Sequence, residues 1–336
     1  MNRVCLDFED PIGDAISRIR FAPNSNNLLI SSWDSCLRLY DVDSSLVRLV
    51  TPTEAALLDC CFQNDDVTFS VGSDGSIRRY DLHSGMHDTI GNHDDIATCL
   101  QYSDETEQLL TAGLDKKIMS WDMRMGMALA YQKKLGEEVD SMSLSGFDLI
   151  VAIGASVHMY DLRNLDSSVL SSESLMDQIK CVSSIPYARG YVVGSTDGRV
   201  AVSISDPSDS NNGGYTFRCH PKSKNGRYHV VSVNDIVFSP LMDGPFVTGD
   251  NEGSVIAWDA KHKRRLFELL EFPNSVASLS YNHGGELLAV ASSYTYQEAI
   301  ESVQSACDRE EPPQIFIHKM DVDHLRSVSV RSRSRK

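Results

Sequence analysis

His93, Thr111 and Asp115 are the residues of this chain whose types could do chemistry together, and Trp121 follows at the end of the same stretch. A histidine, a carboxylate and a hydroxyl are the parts of a general-base-assisted acyl transfer. The surrounding sequence withholds the rest of that machinery. No nucleophile elbow, no oxyanion-donating turn, no glycine-rich phosphate loop and no metal-ligand spacing occurs anywhere in the 336 residues. The eight cysteines, at 5, 36, 60, 61, 99, 181, 219 and 307, form no CxxC pair and sit mostly in apolar strand patterns. No catalytic residue, no metal and no cofactor is expected.

The elements that hold these residues recur. Asp34 lies seven positions before the Asp of Tyr40-Asp41, Asp74 before Tyr80-Asp81, Asp115 before Trp121-Asp122, and Glu252 before Trp258-Asp259. The first of these endings fall at 41, 81 and 122, about 40 residues apart. A repeat of that length ending in Trp-Asp or Tyr-Asp marks the four-stranded blade of a β-propeller. The fold class is therefore all-β, a seven-bladed WD-repeat propeller. Blades are read over 13–44, 54–83, 95–124, 138–163, 177–219, 230–262 and 273–320, with a strand at 3–8 closing the ring within a single domain of residues 3–320. The fourth unit has Gly154 where the turn acid belongs, and the fifth lacks the aromatic-Asp ending. In such blades the turn Asp, a Gly-His histidine, a Ser or Thr and the Trp bond to one another. His93, Thr111, Asp115 and Trp121, like Asp74 and Trp258, are thus structural.

Composition narrows the function. The formal net charge of −16 repels phosphate backbones and argues against broad nucleic-acid binding. No run of 18 apolar residues exists and the first residues lack a signal core, so a soluble intracellular protein without a membrane role is expected. An acidic insert at 298–313 reads as a mobile loop, and the tail at 321–336 as a disordered basic Arg/Ser segment.

Two residues point to peptide binding. Trp33, beside Asp34, is a large aromatic at a turn where other units carry Ser73, Leu114 or Asn251. Tryptophan left at such a turn is costly unless a partner covers it. Arg199, two positions after the turn residue Asp197, offers a bidentate guanidinium to a carboxylate on the same face.

The strings SSWDSCLRLYDV, GNHDDIATC, GYVVGSTDGRVAV, YTFRCH and ASLSYNHGGELLAVASSYTY occur in this order. With them the chain resembles the spindle-checkpoint WD-repeat family, the third member of the budding-uninhibited-by-benzimidazole group, as a diverged paralogue. It is also similar to the messenger-RNA-export WD-repeat factors. The resemblance implies a monomeric, non-enzymatic scaffold of nucleus, mitotic kinetochores and cytoplasm. It implies that Trp33, Asp34, Arg199 and Arg218 hold GLEBS-like segments of checkpoint kinases and their relatives. It also implies that Arg218 faces the phosphate of phosphothreonine motifs on a kinetochore scaffold. This chain departs from the pattern at Pro221, with Lys222 a substitute cation one position on, and at Leu241-Met242-Asp243, where some members carry Arg. Both departures are expected to weaken phosphate reading. An mRNA-export or splicing adaptor, or a ubiquitin-binding, substrate-recognition subunit of a ubiquitin ligase, are the alternatives.

Overall fold

The computed structural model describes residues 3–124, 126, 128–173, 178–204, 214–219, 223–224, 227–228, 231–269, 271–294 and 311–320. Of the acidic insert only 311–313 fall among them, and the Arg/Ser tail lies outside.

Seven four-stranded antiparallel sheets make the ring. After the N-terminal strand β1 (Arg3–Cys5), blade 1 comprises β2 (Ile16–Phe21), β3 (Asn27–Ser32), β4 (Cys36–Asp41) and β5 (Leu46–Pro52). Blade 2 holds β6 (Leu57–Phe62), β7 (Val67–Gly72), β8 (Ser76–Asp81) and β9 (His87–Asn92). Blade 3 holds β10 (Ala97–Ser103), β11 (Gln108–Gly113), β12 (Lys117–Asp122) and β13 (Ala128–Lys134). Blade 4 runs through β14 (Val139–Ser145), β15 (Asp148–Ile153), β16 (Ser156–Asp161) and β17 (Asn164–Glu173). Blade 5 runs through β18 (Ile179–Ser184), β19 (Gly190–Ser195), β20 (Arg199–Ile204) and β21 (Tyr215–Arg218). A two-stranded ribbon, β22 (Ser223–Lys224) with β23 (Arg227–Tyr228), precedes blade 6, which holds β24 (Val233–Phe238), β25 (Pro245–Asp250), β26 (Val255–Asp259) and β27 (Arg264–Glu268). Blade 7 is β28 (Val276–Tyr281), β29 (Leu287–Ser292), β30 (Gln314–Lys319) and, outermost, β1.

The units read from the sequence mostly end at the aromatic-Asp pair. The structure carries blades 1, 2, 3, 4 and 6 onward into an outer strand. These outer strands face solvent and lose the apolar alternation that marks the inner three, as the largely exposed β9 shows. The closing strand spans Arg3–Cys5 rather than 3–8. After it, only Leu6 N still bonds to β30, at Ile315 O, 2.8 Å.

The core is divided among the seams. Each of seven buried apolar clusters joins two neighbouring blades. One packs Leu28 and Ile30 of blade 1 against Ala289 and Ile317 of blade 7; another packs Phe238 and Phe246 of blade 6 against Val192 and Val200 of blade 5. Flat sheets with apolar faces on both sides bury them only against each other, so no blade is complete alone.

Polar staples cross the same seams along the inner strands. Asp59 Oδ2 accepts from Leu100 N at 3.1 Å, Ser141 Oγ from Val182 N at 3.1 Å, Asp235 Oδ2 from Leu279 N at 2.8 Å, and Ser278 Oγ from Ile19 N at 3.3 Å. Arg18 adds an ionic bridge between three blades. Its Nε donates to Asp59 at 3.1 Å and its Nη1 lies 3.3 Å from Asp235. Burial disfavours the Arg18 charge, but the two carboxylates outweigh this and hold it protonated more firmly than usual.

Replacing Arg18 leaves both carboxylates buried without their cation. Arg18→Met is expected to cost about 3–5 kcal/mol in guanidinium unfolding. Adding Asp59→Asn is expected to cost less than the two single losses summed, and strict additivity would show that the bridge is not a unit.

Candidate functional site

The strands alternate in direction, so the turn between the second and third strand of every blade falls on one face of the ring. The connection into the next blade falls there too. Backbone bonds tie these together: Trp33 N to Ala15 O at 2.8 Å, Ser73 N to Ala56 O at 2.9 Å, Leu114 N to Ile96 O at 2.9 Å, and Asn251 N to Ser232 O at 3.1 Å. Trp33 therefore occupies the same place as Ser73, Leu114 and Asn251, and its half-buried indole stands on this face. Asp34 beside it is fully engaged within its blade. It accepts from Gly13 N at 3.0 Å, Cys36 N at 3.1 Å, Arg38 Nη1 and Nη2 at 3.0 and 2.6 Å, and from Ser32 Oγ. Its role is to shape the turn that presents Trp33.

Blade 5 carries the cations. Arg199 begins β20 and Arg218 ends β21, and the register places them directly opposite one another. Arg199 Nε lies 2.9 Å from Asp197, while Arg218 is exposed. Like charges facing across a strand pair destabilise it, a cost that the Asp197 carboxylate beside Arg199 reduces. Ile179 pairs with Ser195 in the same sheet, which puts Lys180 at the inner end of the row formed by Ser195, Arg199 and Arg218. Lys222 lies outside the described residues. The turn Leu241-Met242-Asp243 joins β24 to β25 on the opposite face of the ring.

The hydrolase-like set is sealed. Trp121 Nε1 donates to Thr111 Oγ1 at 3.0 Å, and that hydroxyl meets His93 Nε2 at 2.9 Å. With Thr111 donating onward, His93 keeps its proton on Nδ1 for the Asp115 carboxylate, 3.0 Å away. Thr111 is 0% exposed, so its oxygen is closed to any substrate. The polar atoms that link these four residues are spent on holding the blade.

A family model described as WD domain, G-beta repeat matches residues 7–41 and 86–122. BUB3.3, a mitotic checkpoint protein of Arabidopsis thaliana, is 54% identical over 316 residues, covering 94% of this chain and 98% of that protein. The chain belongs to the BUB3 family of mitotic checkpoint WD-repeat proteins. BUB3.1 of the same plant is 40% identical, with 94% and 92% covered. A poly(A)+ RNA export protein of Schizosaccharomyces pombe is 25% identical over 96% of this chain and 92% of its own. Among solved structures, U3-55K aligns with a TM-score of 0.80 at 15% identity, covering 95% and 98%, a likeness of fold alone.

This BUB3-family chain builds its turns with several residues that the repeat pattern does not announce. Arg38 and Arg78 pair with the turn acids Asp34 and Asp74 in blades 1 and 2, at 2.6 Å in each case, where blade 3 uses His93. In blade 6 the thiol of Cys219 takes the histidine's place. Its N bonds to Gly198 O as His93 N does to Gly75 O, and its Sγ sits 3.2 Å from Thr248 Oγ1, which accepts from Trp258 at 3.0 Å. Burial pushes this thiol up to about 12, so it stays neutral. The carboxylate that caps this turn is Asp250, bonded to Glu252 N and Ser254 N at 2.9 and 2.7 Å, rather than the expected Glu252. In blade 4 the Glu137 carboxylate lies over Gly154, filling the space of the missing turn acid. Only the Asp-x-x-x-Arg spacing of the first two units was a signal visible beforehand.

Three outcomes are expected. A Cβ at Gly91 would overlap the Trp121 ring, so Gly91→Ala should cost about 1–3 kcal/mol by overpacking. Thr111→Val, which strands the buried donor of Trp121 and the buried acceptor of His93, should cost at least as much; denaturant titration checks both. Burial pushes Asp34 and Asp74 up, but hydrogen bonds from Arg38, Arg78 and their hydroxyl neighbours outweigh it and hold both below the usual carboxylate range. Folded values below the unfolded one of about 3.9 give stability that is complete above it and lost as pH falls through the folded values. Thermal midpoints should therefore hold from about pH 7 to 5 and drop below about 4, with a smaller drop in Asp34→Asn.

Proposed function

We propose that the chain is a non-enzymatic scaffold of the spindle assembly checkpoint. In this reading it holds extended acidic segments of the GLEBS kind, from checkpoint kinases and their relatives, across the Trp33 face. The observation that carries it is the Arg199–Arg218 pair, two arginines in register on adjacent strands at that face. Carboxylates of an incoming segment would add to the one that Asp197 already supplies to Arg199, and Lys180 extends the row inward. Trp33, on blade 1, supplies the large amphipathic surface that such segments bury. A phosphothreonine brings a charge of about −1.5 to −2 and three acceptor oxygens, which suits exposed Arg218 better than a carboxylate does. The site of action is then the kinetochore in mitosis, with nuclear and cytoplasmic pools otherwise. A second reading, an adaptor in mRNA export, draws on the likeness to the export protein and on the Arg/Ser tail.

Calorimetric titration with a GLEBS-motif peptide tests the first reading. Trp33→Ala and Arg199→Glu should each weaken binding by at least about tenfold, or 1.4 kcal/mol, without altering the fold. Arg218→Glu should abolish any preference for a phosphorylated threonine peptide over its unphosphorylated form. Unchanged curves in the first two variants remove the site. RNA recovered by crosslinking directly to the propeller would favour the second reading.

A further inference from the structure

The opposite face of the ring carries a second concentration of cations, at the junction of blades 5 and 6. Lys261, His262, Lys263, Arg264 and Arg265 are consecutive, in the turn from β26 into β27, on a chain of net charge −16. Two of them are fixed on aromatic faces. Lys261 Nζ lies 4.8 Å from the ring centre of Tyr187, and Lys263 Nζ 4.7 Å from that of Tyr215. Tyr215 in turn donates to Ala260 O at 2.9 Å, tying the outer strand of blade 5 to this turn. A lysine over an aromatic ring keeps its charge while losing its freedom, so less ordering entropy remains to be lost on binding.

Tyr187 also borders a cleft of about 270 Å³ between blades 4 and 5. Its lining is mixed: Ile150, Ile185, Pro186 and Ala188 supply apolar atoms, and the bidentate Arg189–Asp148 pair, at 2.9 and 2.7 Å, supplies polar ones. The Tyr187 hydroxyl is buried with no hydrogen-bond partner among the described residues. The cleft has room for one side chain rather than a drug-sized ligand.

We infer that this junction is a second peptide-docking site, for a short partner segment whose apolar side chain enters the cleft and whose neighbouring carboxylates meet Lys261 and Lys263. A nucleic-acid strand suits it less. Asp243, 3.3 Å from Lys261, Asp259, 2.6 Å from His262 and 3.8 Å from Arg264, and Glu268, paired with Arg265, interrupt the positive stretch, whereas phosphate backbones gain affinity from many successive contacts. Both tyrosine faces are also already covered by lysines, leaving no platform on which bases could stack.

The test is fluorescence anisotropy of the purified chain with a fluorescein-labelled Asp-Glu-Leu-Asp-Glu peptide at low salt. The wild type should bind, and the Lys261→Glu, Lys263→Glu double variant should bind at least about tenfold more weakly. Ala188→Trp, which fills the cleft, should lose binding with its thermal midpoint retained. Arg199→Glu, on the other face, should leave binding unchanged, which separates this site from the GLEBS-type site. The inference fails if the wild type does not bind, if Arg199→Glu removes binding while the lysine variant keeps it, or if Ala188→Trp binds normally. Oligouridylate binding more tightly than the peptide through the same lysines would overturn it in favour of nucleic acid.

Discussion

Everything in this molecule depends on seams. A four-stranded sheet that is apolar on both faces has nowhere to put them except against two neighbours, and only a closed ring gives every sheet two. The seven buried clusters lie one to each seam, and the staples from Asp59, Ser141, Asp235 and Ser278 fix the spacing of the inner strands. Arg18 then ties three blades to one another near the axis. The faces of the ring inherit their rigidity from this interior, so a turn residue such as Trp33 is held in place without a helix or a cofactor behind it.

The fold was legible because the turn acid and the aromatic-Asp pair stand at a fixed separation and recur at a fixed period. That regularity belongs to the second and third strands, buried on both sides, where the sequence has little freedom. Outer strands such as His87–Asn92 face solvent and carry no comparable signature, which is why the sequence units end too early. Blade 5 lost its aromatic-Asp ending and folds all the same, since its seams with blades 4 and 6 supply what the motif does not.

The site was legible only in part, for a geometric reason. Trp33 and Arg199 could be placed by counting from a turn acid. That Arg218 faces Arg199 could not, because it depends on the register of β21, separated from β20 by a long connection. Cys219 looks like a bystander in YTFRCH until the thiol is seen against Thr248, and Arg38 and Arg78 look like surface residues until they are found over their turn acids. Leu241 enters only through the family pattern, and its turn lies on the opposite face, since consecutive turns of one blade alternate between faces.

The strand that closes the ring is three residues long, and Arg3, Val4 and Cys5 pair with His318, Ile317 and Phe316. Arg3 is anchored there over Phe316 at 4.4 Å and Phe272 at 4.9 Å. Translation makes β1 before the other strands of the ring and β30 after them. Six blades can assemble behind the growing chain as their hairpins emerge, but the seventh waits for synthesis to reach β30. Until then blades 1 and 6 each lack the neighbour that covers an apolar face, so the growing chain exposes the two seams that blade 7 will fill.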